Sequence, residues 1–168
     1  MSGTYAWVDR GEDPEHAADW QDRVNRWPAI RAYKGRIDEL LRTAAGVIDV
    51  GCGTGGNLAT HPGATGVDRS WTMLARAAIT EHRVVAGDAA RLPFADATFE
   101  GVRCDRVVQH LDDPSAGVAE LARVVSAGGT LVVADPDQAT LTIELPGAPD
   151  DLVEAVRVRR RDVMYRNG

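Results

Sequence analysis

Cysteine is scarce in this chain, which contains only Cys52 and Cys104 and no Cys-x-x-Cys pair. The sequence therefore lacks the disulfide framework that supports many small secreted domains. Its uninterrupted apolar runs extend over only a few residues, which excludes a transmembrane helix. The N-terminal stretch MSGTYAWVDRGEDPEH is too acidic and polar for a signal peptide. These absences predict a protein of the reducing cytoplasm with no membrane partner.

Basic stretches with interleaved aromatic residues are also absent, and Lys34 is the only lysine. The formal net charge is -6 at pH 7, so nucleic acid is not an expected partner. We also predict no metal site. The 168 residues, of which 44% are hydrophobic, suffice for one globular domain with a buried core.

Short apolar segments alternate with amphipathic segments along the chain, and helix-start signals stand at Asp13-Pro14, Ser70 and Asp113-Pro114. Pro28 is expected to separate the first helix from the second. Ala45-Gly46 and Gly128-Gly129 are expected to end the second helix and the helix before the fifth strand. Predicted strands cover residues 47–50, 64–67, 83–86, 99–104 and 130–134. This alternation predicts a doubly wound α/β fold with a mostly parallel sheet. The fifth strand is apolar throughout, which predicts burial on both faces.

The segment VIDVGCGTGGNLA, residues 47–59, places a glycine loop directly after the first strand. In such sheets ligands bind beyond the carboxyl ends of the strands, and a helix N-terminus offers free N–H groups there. Gly51, Gly53 and Gly55 read as GxGxG, which suggests S-adenosylmethionine (SAM). Gly51, Gly53 and Gly56 read as GxGxxG, which suggests a dinucleotide.

Three acidic residues favour SAM over the dinucleotide. Asp68 follows Gly56 by about a dozen residues, short of the roughly 20 expected for a dinucleotide fold, and either ribose would suit its carboxylate. Asp49 lies just before the glycines, where it would be awkward beside a pyrophosphate but suits an ammonium and a sulfonium. Asp88 follows the third strand, where its carboxylate and the Ala89 N–H are suited to an adenine edge.

Four stretches resemble class I SAM-dependent methyltransferases of the group related to ubiquinone and menaquinone biosynthesis methyltransferases: VIDVGCGTGG, GVDRSWTMLARA, VVAGDAARLPFADATFEGVRCDRVVQHLDDP and ELARVVSAGGTLVVADPD. The resemblance covers about residues 5 to 137. It implies a Rossmann-like sheet of about five strands in the order 3-2-1-4-5, N-terminal lid helices and SAM as cofactor. It also implies methyl transfer to the O, N or C atom of a small organic acceptor.

The resemblance assigns cofactor-binding roles to eleven residues. The glycines would lie along the methionyl part, Asp49 would meet its ammonium through water, and Asp68 would hold the ribose. The Cys104 carbonyl would also meet the ammonium, with Arg106 nearby.

Arg69 and Met73 would flank the adenine ring. Asp88 and Ala89 would form hydrogen bonds with its edge. The predicted set is Asp49, Gly51, Gly53, Gly55, Asp68, Arg69, Met73, Asp88, Ala89, Cys104 and Arg106.

SAM is an activated donor, so alignment of the acceptor can supply most of the catalysis. His110 follows the fourth strand on the substrate side and is our candidate general base. Further candidates for orienting the acceptor are Gln109, Asp112 and Asp135. Lid residues that could meet the SAM carboxylate are Arg31, Tyr33 and Lys34.

We expect an N-terminal helical lid over residues 1–45, a SAM-binding core over 46–137, and a C-terminal loop and helix over 138–168 of the same domain. The first crossover is short by about one helical turn. Relatives continue with a further helix and two strands, so strands 6 and 7 are expected to be absent. The chain would then be a fragment, or its fifth strand would be covered by the last helix, residues 150–165, or by another subunit, as in a homo-oligomer.

Two other functions stay open on the sequence alone. One is a cofactor-binding or partner-binding protein without turnover. Its C-terminal arginines could bind an acidic partner, although a solvated helix face is the simpler interpretation. The other is an NAD(P)-dependent oxidoreductase.

Overall fold

A computed structural model describes residues 8–10, 13–79, 82–137 and 147–164, with side chains described as far as residue 158. The chain divides into two compact units, one ending at Asp135 and the other beginning at Pro136. The predicted C-terminal arginine cluster and the predicted end of the last helix at Tyr165 lie largely outside the described residues.

The first unit contains a sheet of five strands: β1 Val47–Val50, β2 Thr65–Asp68, β3 Arg83–Ala86, β4 Phe99–Asp105 and β5 Val125–Ala134. Their order is β3-β2-β1-β4-β5, and every neighbouring pair is parallel. The order reverses between β1 and β4, which is the switch point where such sheets bind ligands. The doubly wound α/β prediction is confirmed, including its strand order.

Four helices belong to this unit: α1 Pro14–Asn25, α2 Pro28–Leu40, α3 Trp71–Ala78 and α4 Pro114–Val124. Three of them start at the predicted caps. The side chains of Asp13, Ser70 and Asp113 accept the backbone N–H of the residue three positions on. α1 ends at Asn25 and α2 begins with Pro28 at its first turn, so Pro28 separates the two helices, as predicted.

Three local predictions are wrong. α2 ends at Leu40, well before Ala45-Gly46, and α4 ends at Val124, before Gly128-Gly129. β5 therefore begins at Val125, with Gly128 at a φ of +80° inside an irregularity of its pairing with β4. β5 is also half-exposed, and Val133 is 41% exposed, because β5 is the outer strand of this sheet.

The sheet buries an apolar layer on each face. Ile48, Val50 and Val102 pack with Leu121 and Val124 of α4 on one face. Val47 packs with α2 residues on the other face. Because side chains alternate along a strand, Asp49 lies on the same face as Val47. The first crossover contains one 3₁₀ turn, Leu58–Thr60, which matches the short connection expected from the sequence.

The second unit contains α5, Asp150–Met164, which carries Asp150 and Asp151 in its first turn, where negative charge favours a helix. None of the helices in the described ranges combines the length and apolar character needed to span a bilayer.

Candidate functional site

The glycine loop turns sharply at the carboxyl end of β1. Gly51, Gly53 and Gly55 have φ angles of +74°, +55° and +79°, which side-chain-bearing residues rarely adopt. The N–H groups of Gly51 and Cys52 both donate to the Val67 carbonyl, at 2.6 and 2.9 Å, and tie the loop to β2. The turn thus lies at the switch point of the sheet.

The loop also has neighbours that leave no space for side chains. A Cβ on Gly51 would overlap the Val107 side chain, and one on Gly53 would overlap the Gln21 amide of α1. A Cβ on Gly55 would lie 2.9 Å from the Ala77 Cβ of α3. Glycine is therefore favoured by conformation at all three positions, and also by close packing at Gly51 and Gly55.

Helix α1 lies against this loop and is held by polar contacts. The Thr54 N–H donates to Gln21 Oε1 at 3.3 Å, and the Thr54 hydroxyl donates to Asp22 at 2.6 Å. Arg76 of α3 forms ion pairs with three acidic residues of α1: Glu15, Asp19 and Asp22. These contacts of α1 depend on tertiary structure, and no sequence motif predicts them.

Asp68, at the end of β2, holds the loop and the start of α3 together. One oxygen accepts the Gly53 N–H at 2.9 Å, and the other accepts the Ser70 N–H at 2.9 Å. Burial raises the pKa of this carboxyl. Each carboxylate oxygen can accept a further hydrogen bond, so the group keeps capacity for a ligand hydroxyl.

Asp49 lies within β1 and is 3% exposed. Its carboxyl accepts a 3.4 Å hydrogen bond from the Asn57 side-chain amide, and one oxygen is 3.9 Å from Arg103 Nε. Burial raises the pKa of Asp49 to about 6, against the opposing effects of the Arg103 and Lys34 charges. A buried carboxylate with incomplete partners is suited to a cationic ligand group.

The raised pKa of Asp49 makes a stability prediction. Between about pH 4 and pH 6 the folded state holds a proton that the unfolded state releases, so this group's stabilising contribution falls as pH rises through that window. Asp49→Asn removes the titration. We therefore expect the free energy of unfolding of the variant minus that of wild type to rise by about 3 kcal/mol between pH 4 and pH 7. Urea unfolding at several pH values measures this difference, and a difference independent of pH would contradict it.

Asp105, at the end of β4, organises a second cluster, and the sequence analysis missed it. The Tyr33 hydroxyl contacts Asp105 Oδ1 and Oδ2 at 3.0 and 3.1 Å, and Lys34 Nζ lies 3.4 Å from Oδ2. Burial and the Asp105 charge raise the pKa of Tyr33 to about 12, whereas burial lowers that of Lys34. Lys34 also donates to Asn25 and Asn57. The carboxyl end of β4 is where such an acid could have been anticipated.

The remaining predicted cofactor residues have varied surroundings. Met73 is buried with Val8 and Ala18 beneath α1, and Ala89 packs on the main core. Asp88 is exposed and accepts the Ala90 N–H at 2.9 Å. Arg69 directly follows the last residue of β2.

At the end of β4, Cys104 is buried, and burial raises the pKa of its thiol. Arg106 has a φ of +59° and donates to Asn25 at 3.3 Å. Arg31, predicted as a possible partner of the SAM carboxylate, is exposed on α2.

His110 is half-buried in the 3₁₀ turn Val108–His110, just beyond β4. Burial and the Arg106 charge lower its pKa, which favours the neutral imidazole that a general base requires. Asp135 accepts the backbone N–H groups of Val108 and Gln109, so it supports this turn. No group of three or more His, Cys, Asp or Glu side chains is placed to hold a metal within the described ranges.

Residues 48–133 match the family model described as a methyltransferase domain. The chain belongs to the class I SAM-dependent methyltransferase family. It is 33% identical over 161 residues to an uncharacterised 37.1 kDa protein in transposon TN4556 of Streptomyces fradiae, covering 88% of this chain and 46% of that protein. It is 40% identical over 93 residues to a demethylmenaquinone methyltransferase of Mycolicibacterium vanbaalenii, covering 53% and 41%.

Among solved structures, SAM-bound CalS10 from Micromonospora echinaspora, an amino pentose methyltransferase, is 31% identical with a TM-score of 0.57. The alignment covers 70% of this chain and 54% of that one. The chain spans about half the length of the relatives that it matches. Family membership confirms the predicted resemblance and favours SAM over a dinucleotide as the ligand of this methyltransferase fold.

Proposed function

We propose that this methyltransferase-family chain binds SAM at the glycine loop and transfers its methyl group to a small organic acceptor. The observation that carries the proposal is the cradle formed by three positive-φ glycines between Asp49 and Asp68. When bound, SAM supplies an electrophilic methyl group. Asp68 would accept the ribose hydroxyls, and the glycines would admit the methionyl chain against the backbone.

The charged side chains at the carboxyl ends of β1 and β4 fit a ligand with a zwitterionic amino-acid moiety. Asp49 and Asp105 are carboxylates suited to an ammonium, and Lys34 is a cation suited to a carboxylate. Arg106 adds a second cation beside Asp105, at 3.9 Å. A pyrophosphate, by contrast, would face two buried acids here. This charge pattern supports SAM over NAD(P).

The cofactor half of the proposal is tested by calorimetric titration with S-adenosylhomocysteine (SAH) and, separately, with NAD. We expect SAH to bind and NAD to bind far more weakly. The absence of SAH binding by folded protein, or tighter NAD binding, would overturn the proposal. SAH binding without transfer of a radiolabelled methyl group to any phenol, quinone or amine in a panel would instead favour a binding protein without turnover.

His110 is the proposed base for an acceptor that must lose a proton. Its half-burial and lowered pKa keep the imidazole neutral at pH 7, and proton transfer of this kind contributes about 10²–10⁴-fold to rate. We expect His110→Ala to slow methyl transfer within that range while SAH affinity changes less than threefold. Single-turnover assays with calorimetry measure both quantities. Unchanged turnover would remove His110 from the mechanism.

We further propose that the acceptor is a small molecule and that the protein works in the cytoplasm. Small-molecule methylation is supported by relatives such as CalS10, an amino pentose methyltransferase. Both cysteines are free and buried, which supports a reducing compartment such as the cytoplasm.

A further inference from the structure

A charged side chain lies in the interior of the sheet beneath the site. Arg103 belongs to β4, is 1% exposed, and its Cα pairs in register with Asp49 of β1. Both side chains point to the face covered by α2. A buried guanidinium is costly unless carboxylates and hydrogen bonds satisfy it, so its partners identify what it does.

Arg103 is shared unequally between two carboxylates. Its Nη1 donates to Asp38 of α2 at 2.6 Å, whereas its Nε is 3.9 Å from Asp49, beyond hydrogen-bond distance. Among the described residues, neither Nε nor Nη2 of this guanidinium makes a hydrogen bond. Arg103 therefore keeps donors that could bind Asp49 but does not use them.

Other groups around Asp49 do not neutralise it closely either. Lys34 of α2 directs its ammonium to Asn25, Asn57 and Asp105, and Asn57 reaches Asp49 only at 3.4 Å. Asp105 adds a like charge from the end of β4, which acts against ionisation of Asp49. The Asp49 carboxylate thus keeps lone pairs that a cationic ligand group can use.

We propose that Asp38 is a positioning residue, which binds Arg103 and so prevents its guanidinium from closing on Asp49. The inference rests on the proposed SAM site, because it concerns how Asp49 stays available for the ammonium of the cofactor. Asp38 lies on α2, in the segment predicted as a lid. The lid segment would thereby influence the cofactor edge through a contact beneath the sheet rather than by touching the cofactor.

Removing the charge of Asp38 should redirect Arg103. In Asp38→Asn the nearest carboxylate left to the buried guanidinium is Asp49, and an ion pair between them would compete with the cofactor ammonium. Such a pair would also stabilise the ionised form of Asp49. We therefore expect SAH affinity at pH 7.5 to fall by about tenfold, and the low-pH midpoint of SAH binding to move to lower pH.

Arg103→Met should move that midpoint in the opposite direction. The variant leaves Asp49 buried without its nearest cation, so its ionisation becomes harder and binding fails at higher pH. A variant that only loosened the fold would weaken binding at every pH without moving the midpoint. The opposite directions of the two shifts are the signature of the proposed role.

Glu39→Gln provides a matched control on the same helix. Glu39 neighbours Asp38 in sequence but pairs with Arg42 at the surface, where the two side chains are 72% and 68% exposed. Asp38 itself is 24% exposed and lines a cavity of about 320 Å³, so an asparagine there can be hydrated. Both α2 variants are therefore expected to fold.

The experiment measures SAH affinity from pH 5 to pH 8 for wild type, Asp38→Asn, Arg103→Met and Glu39→Gln. A carbon-13 NMR titration of the Asp49 carboxyl in SAH-free wild type and Asp38→Asn provides a second readout, with the signal assigned by its loss in Asp49→Asn. We expect a lower Asp49 pKa in Asp38→Asn and wild-type behaviour in Glu39→Gln.

An Asp49 titration and a binding midpoint in Asp38→Asn that equal those of Glu39→Gln would overturn the positioning role and leave the SAM site intact. If folded wild type fails to bind SAH, both the site and the role are overturned. If Arg103→Met does not fold, the NMR titration of Asp38→Asn decides the question alone.

Discussion

Asp68→Ala is expected to weaken SAH binding by about 100-fold or more. The carboxylate is proposed to hold two ribose hydroxyls, and hydrogen bonds to a charged group contribute about 1.5–3 kcal/mol each. Their loss corresponds to at least two decades in Kd. The same carboxylate also accepts the Gly53 and Ser70 N–H groups, so its removal loosens the glycine loop as well. Calorimetric titration with SAH measures the loss.

Asp96→Ala is the matched control for this substitution. Asp96 makes an ion pair with Arg123 and its side chain is 80% exposed, on the loop before β4. We expect SAH affinity in Asp96→Ala to stay within twofold of wild type. An Asp68→Ala protein that folds and still binds SAH with wild-type affinity would show that the ribose assignment is wrong.

Gly55→Ala is expected to destabilise the fold more than Gly63→Ala. Both glycines have a positive φ, +79° and +84°, so alanine costs about 1–2 kcal/mol at either position. The Gly55 Cβ would also lie 2.9 Å from the Ala77 Cβ and 3.2 Å from its Cα, on the rigid backbone of α3. At Gly63 nothing lies within 4 Å. The crowding at Gly55 adds about 1–3 kcal/mol.

Thermal or urea unfolding of the two alanine variants measures this difference. Because the backbone strain is common to both, subtraction isolates the contact between the glycine loop and α3. We also expect Gly55→Ala to bind SAH more weakly, since the loop must shift away from α3. Equal losses of stability in the two variants would contradict the close packing of this loop.

The fold could be predicted from the sequence because its signals are local. The caps at Asp13, Ser70 and Asp113 fix three helix starts, and the apolar segments between them alternate in the order typical of a parallel sheet. The error at β5 has a physical reason. Gly128-Gly129 is typical of a helix end, but the chain leaves α4 at Val124 and uses Gly128 in an irregular strand pairing instead.

The candidate site could be predicted where it depends on strand ends. Asp49 lies within β1, Asp68 ends β2, and the three glycines follow β1, so the topology is enough to place them. The contacts of Gln21, Asp38 and Asn25 with this edge depend on how α1 and α2 pack on the sheet. Sequence periodicity identifies an amphipathic helix but does not specify which polar residue meets which strand. Asp105 also lies at a strand end, but its contacts with Tyr33 and Lys34 depend on the packing of α2, which the sequence does not specify.

The most direct test of the central claim is a crystal structure of this chain with SAH bound. We expect the ribose hydroxyls within hydrogen-bond distance of Asp68, the methionyl chain along Gly51 to Gly55, and the ammonium on the side of Asp49. SAH bound elsewhere, or at this edge with Asp68 making no contact to the ribose, would contradict the account.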